Sequence, residues 1–233
     1  MTKTSSIQVL SAGAVEGVIA QLAKQFAFET GHAVKLVFGT VGEIYDRLRT
    51  ESADVVIMSA PAIDEAIDQG RVIATSRIHI ARTGIGVLVR TGEPMRYIAT
   101  PDSLAETLIS STTVAYPDPE KGSTAGRHVA TILGQLGIAD VMRAKSIMCA
   151  NGFETCKAVA EGKAKLGIAM ISEIMSMKKV ELVGPLPKSL QLVTTYTIGV
   201  ATKTNAVDAA REFVKFVTGA DGKIFTDAGL NCK

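Results

Sequence analysis

Hydrophobic positions along the chain alternate between two periods. Ile7 to Ala12, "IQVLSA", is a short apolar run that predicts a strand. In "VEGVIAQLAKQFAFETG" the apolar residues Val15, Val18, Ile19, Leu22 and Phe26 recur at helical spacing, and Gly31 ends the pattern. "HAVKLVFG" alternates as a strand, and "VGEIYDRLRTES" reads as a short helix. "ADVVIMSA" is continuously apolar, as in a strand buried on both faces. "PAIDEAIDQG" is helical again, with Pro61 at its start and Gly70 at its end. This order, βαβαβα, predicts a mostly parallel sheet covered by helices on both faces.

The pattern then changes. Ser76 to Arg90 reads as one long extended segment, expected to carry the chain from one lobe to another. A second alternating set follows: "TTVAYP", a helix from Thr124, "KSIMCA", a helix from Phe153, "AKLGIAMI" and a short helix at Ser172. "GPLPKSLQLVTTYTIGVAT" contains another long strand, read as the return crossing, and the chain closes with two helices. The expected organisation is two α/β lobes, residues 1–81 plus 194–233 and residues 82–193. A ligand is expected between them at the carboxyl ends of the strands.

Composition narrows the function classes. In 233 residues, hydrophobic side chains make up 47% and charged ones 21%, which supports packed cores and argues against disorder. Aromatic residues are 5% and Trp is absent, too few for a sugar-stacking or single-strand nucleic-acid platform. The net charge of +2 and the scattered basic residues call for no polyanion, so no nucleic-acid partner is expected. Of the three cysteines, Cys149, Cys156 and Cys232, at least one must be free, which fits a reducing compartment. Their spacing matches no common zinc motif, and neither a metal nor a cofactor is expected. No apolar run reaches the roughly 20 residues of a membrane helix. "MTKTSSIQVLSAG" lacks the apolar core of a secretory leader, so the chain as written reads as cytoplasmic, or as periplasmic if a leader has been removed ahead of it.

The strand ends share one chemistry. Ser11-Ala12-Gly13-Ala14, Gly39-Thr40-Val41-Gly42 and Ser59-Ala60-Pro61 each precede a helix, as do Gly122-Ser123-Thr124-Ala125-Gly126 and Ile171-Ser172-Glu173. Each places a hydroxyl and unpaired backbone N–H groups at a helix N-terminus, where the dipole favours an anion. Each hydroxyl taken singly is equally a helix cap; five such loops facing one cleft favour a ligand. "EKGSTAG" is not a phosphate loop, because Lys121 precedes the glycine rather than following it. Asn151 and Gly152 before Phe153 repeat the theme.

The motifs "VLSAG", "FETG", "FGTVG", "ADVVI", "YPDPEKGSTAGRHVATILGQLGI" and "ELVGPLP", in this order over nearly the whole chain, resemble the molybdate-binding-protein family of the type II periplasmic binding fold. The details "SAGAV", "FGT" and "ELVGPLP" resemble more a branch that includes an aconitate isomerase. The resemblance implies oxyanion ligands from Ser11 with Ala12, from Thr40, and from loops near Ser123 and Gly152; Gly13 is a candidate from its place in the Ser11 loop. Ser59, Thr124, Phe153 and Ser172 occupy equivalent loop positions. Where the family completes its molybdate site with a tyrosine, this chain reads "IAMISEI" with Ser172 nearby, a departure from the family's pattern.

Two functions follow: a binding protein for a polycarboxylate or tetrahedral oxyanion, with an ABC permease as partner if the chain is exported, or an isomerase that moves a double bond in a polycarboxylate such as aconitate. The second requires a proton carrier, for which Lys121, His128 and Tyr116 are the candidates. His128 and Lys121 read first as solvated surface residues. Arg82 is placed to grip a carboxylate at two points or to form a surface salt bridge. Glu43 is a base or a cap partner, and is expected to point away from an anion. His32, in a turn after Gly31, is expected to be solvent exposed. A ligand-sensing module is a third reading, though no helix-turn-helix accompanies it.

Overall fold

The computed structural model describes residues 4–231. Two compact units divide the chain: one holds the described residues through Arg82 together with those from Thr194 onward, the other is Thr83–Val193.

In the first unit, β1 (Ser6–Ala12) leads through a single 3-10 turn into α1 (Glu16–Thr30). Gly31 closes α1 at φ 76°, a left-handed value that glycine adopts without a Cβ penalty. β2 (Ala33–Gly39), α2 (Val41–Thr50), β3 (Val55–Ser59) and α3 (Ala60–Asp68) follow as the periodicity predicts. With β4 (Ile78–Thr83) and the later β10 (Thr194–Val200), the sheet order is β2-β1-β3-β10-β4. Every residue of β3 is buried, which requires cover on both faces of the sheet. The chain ends in α9 (Val207–Thr218), which packs on α1 and β10, and α10 (Gly222–Thr226).

The second unit contains β5 (Ile85–Arg90), α4 (Pro101–Ser110), β6 (Val114–Pro117) and α5 (Thr124–Gln135). It continues with α6 (Ala139–Arg143), β7 (Ser146–Cys149), α7 (Gly152–Ala160), β8 (Leu166–Met170), α8 (Ile171–Met175) and β9 (Val180–Pro185). Its sheet order is β7-β6-β8-β5-β9, with β5 and β8 fully buried along their apolar stretches.

Three features differ from the sequence reading. The long extended segment from Ser76 to Arg90 is two strands, interrupted at Gly84, and its halves belong to different sheets. Neither sheet is simply parallel: β10 runs antiparallel to β3, and β5 runs antiparallel to both β8 and β9. These strands lie at the two places where the chain passes from one sheet to the other. His32 is buried, not exposed. Its ring stacks on Phe26 at 5.7 Å, its Nδ1 accepts from the Ser5 N–H at 3.0 Å, and its Nε2 lies 3.3 Å from Glu212. Cys149 and Cys156 are free thiols, and Cys232 lies outside the described residues.

Candidate functional site

Strand register gathers the small-residue loops at one edge of each sheet. In the first, Ala12 pairs with Gly39 across parallel β1 and β2, and Ser11 pairs with Ile57 of β3, two residues before Ser59. The carboxyl ends bearing Ser11, Ala12, Gly13, Thr40 and Ser59 therefore come side by side. Antiparallel β10 begins where the parallel strands end, so Tyr196, paired with Ser59, joins this edge. The sequence reading missed Tyr196; its signal was one buried aromatic near the start of a returning strand.

In the second sheet, Pro117 pairs with Cys149 and Ala115 with Gly167, both in parallel, while Met170 pairs with Ile85. The loops carrying Tyr116, Lys121, Ser123, Thr124, Gly152, Phe153 and Ser172 thus share the carboxyl edge of that sheet.

The hydroxyls divide by what they already do. Ser123 Oγ accepts from the Gly126 N–H at 3.1 Å, capping α5. Thr40 Oγ1 accepts from the Glu43 N–H at 3.1 Å, while Glu43 reaches back to the Thr40 N–H at 2.8 Å, a complete capping box. Glu43 is thus the cap partner and is spent on its own loop. Ser11 Oγ donates to the Ala12 carbonyl at 3.2 Å. The Ser123 hydroxyl, which accepts that cap bond, keeps its proton for an anion. Ser59 and Thr124 make no side-chain hydrogen bond among the described residues, although each stands at a helix start. Ser172 is 2% exposed and its hydroxyl has no partner there.

The acid–base candidates fare unequally. His128 is half-buried, and its Nε2 stands 2.6 Å from the Leu190 carbonyl oxygen. A carbonyl can only accept, so this nitrogen carries the proton and is committed to the backbone. Tyr116 is buried in β6, Lys121 is exposed at the end of a 3-10 turn, and Arg82 is exposed with its backbone paired to Asn231. The sequence reading passed over Glu16, in the first turn of α1. It is half-buried, has no side-chain partner among the described residues, and burial raises its pKa above the usual carboxylate range. Its signal was an acidic residue at the first helical position after the Ser11 loop.

Glu173 also escaped singling out. It is 7% exposed and accepts from the Met170 N–H at 3.1 Å. Its Oε2 stands 1.7 Å from where a Cβ on Gly152 would lie, so a side chain at that position would force the Glu173 carboxyl group to move.

Two five-stranded mixed sheets of this order, each flanked by helices and joined by two crossing segments, are the type II periplasmic-binding-protein fold. Over residues 7–231 the sequence matches the bacterial extracellular solute-binding protein family, and the chain belongs to that family. The Azotobacter vinelandii periplasmic molybdate-binding protein superposes with a TM-score of 0.80 at 22% identity, covering 97% of this chain and 99% of that one. Among curated relatives, a Pseudomonas sp. aconitate isomerase is 30% identical over 238 residues, 97% of this chain and 87% of its own length. The molybdate-binding protein ModA of Mycobacterium bovis is 23% identical over 231 residues, 95% of this chain and 82% of its own.

Proposed function

We propose that this solute-binding protein captures a small anion, a polycarboxylate or a tetrahedral oxyanion, through hydroxyl-bearing loops at the carboxyl ends of its strands. The observation that carries this reading is the set of uncommitted hydroxyls on Ser59, Thr124 and Ser172 at helix starts. Within each unit these hydroxyls stand beside first-turn amides, a donor arrangement that suits an anion held by hydrogen bonds and helix dipoles. The acidic side chains Glu43 and Glu173 are folded back onto backbone amides, which supports the same reading. An ABC permease is the expected recipient of the solute.

A thermal-shift screen with molybdate, sulfate, phosphate, citrate and cis- and trans-aconitate tests this. At least one anion should raise the melting temperature. Each hydrogen bond to a charged group contributes about 1.5–3 kcal/mol, so Ser59→Ala or Ser172→Ala should weaken binding roughly 10- to 100-fold. Silence from every anion, in melting and in calorimetry, overturns the reading.

A second reading is favoured by the identity to the aconitate isomerase: an isomerase that shifts a double bond in a polycarboxylate. A base removes a proton from one carbon, and an acid returns one at the far end of the allylic system. Donors at the helix starts stabilise the carboxylate as it takes enolate character. Glu16, half-buried, unpartnered among the described residues and shifted toward its protonated form, fits the proton carrier better than His128. Proton NMR of cis- and trans-aconitate with the protein should show interconversion. Stabilisation by tetrahedral oxyanions with no response to tricarboxylates ends this reading.

A further inference from the structure

We propose that Glu173 is the positioning residue of the second unit's anion loops: its buried carboxylate ties the start of α8 to the start of α7 and so holds Ser172 and Gly152 for a ligand. This rests on the anion-binding reading above.

Three contacts support the tie. Glu173 sits in the first turn of α8, and its Oε2 accepts from the Met170 N–H at 3.1 Å, where that helix leaves β8. The same oxygen stands 1.7 Å, and Oε1 2.5 Å, from the Cβ position of Gly152, the first residue of α7. The carboxylate thus lies against two helix starts that are distant in sequence. Glu43 performs the local half of this role in the first unit, where Gly39 gives it room, but Glu43 is exposed and serves one loop only. Glu173 is 7% exposed and joins two loops.

The adjacent residue gives the tie its purpose. Ser172 Oγ is buried without a partner among the described residues. A buried donor left unsatisfied is costly, and folds retain one where a further group completes it. Anchoring the neighbouring side chain from both directions keeps that hydroxyl in place. The first turn of α8 is also held by the Ile171 N–H on the Gly84 carbonyl at 2.9 Å and by buried Ile174, so the anchor acts on the Glu173 side of that turn.

The experiment compares Glu173→Ala and Glu173→Gln with the wild type by amide exchange in the ligand-free protein. Calorimetry then uses whichever of molybdate, sulfate, citrate or trans-aconitate most stabilises the wild type. Glu173→Ala should speed exchange at Met170 and in the first turn of α7 at least tenfold, while amides in the middle of β6 and β8 stay protected. It should also raise the Kd at least tenfold. Glu173→Gln, which keeps an oxygen for Met170, should recover most of both effects. Unchanged exchange at those amides overturns the proposal. So does a uniform loss of protection through the unit, which marks a core residue only, or an unchanged Kd when the local amides open. If no anion binds the wild type, the anion reading and the ligand-positioning role fall together, while the exchange data separately decide whether Glu173 ties α7 to α8.

Discussion

Gly152 has no room for a methyl group, because the Glu173 carboxylate occupies the place a Cβ would take. Gly152→Ala is expected to destabilise the protein by about 1–3 kcal/mol in urea unfolding, the usual range for overpacking a well-filled site. Adding Glu173→Ala should recover part of that loss, since the clash needs both side chains. Glu16 supplies a second prediction at this scale. Burial raises its folded pKa above the unfolded value. Its contribution to stability is therefore fully present below the unfolded pKa of about 4.3 and lost as pH rises through the folded one. Glu16→Gln should melt above the wild type at pH 7, with the gap closing toward pH 4. At this scale the sequence marked residue types better than surroundings. His32 reads as a turn residue after Gly31, yet Ser5 and Glu212 approach its ring from distant parts of the chain.

At the scale of elements, the helix starts carry both stability and proposed function, and the two can be separated. Ser123 Oγ caps α5 through the Gly126 amide, so Ser123→Ala should cost about 1 kcal/mol without any ligand, measured by chemical denaturation. Ser172 caps nothing through its hydroxyl, so Ser172→Ala should leave unliganded stability nearly unchanged while weakening anion binding. The alternating elements were legible because their periods and stop signals are local. Gly31 and Pro61 mark helix boundaries where the chain shows them. α4 escaped notice although Thr100 and Pro101 form a start signal, because its short apolar face stands between two stronger strands.

For the whole molecule, ligand linkage makes the clearest prediction. An anion supplied at 100 times its Kd should add about 2.7 kcal/mol to stability. For a chain of this size that is a rise of roughly 5–10 °C in melting temperature.

The sequence alone determined that this chain makes two α/β sets of strand and helix, with small hydroxyl residues at the strand ends and an extended crossing between the sets. Those properties depend on spacing of a few residues, where periodicity and capping act. Only the tertiary structure decided that the crossing segment splits at Gly84, that β5 and β10 run antiparallel, which hydroxyls are already committed, and that Glu173 lies against Gly152. Each of these depends on register between segments far apart in the chain, and hydrophobic period carries no record of which distant neighbour a strand or side chain will meet.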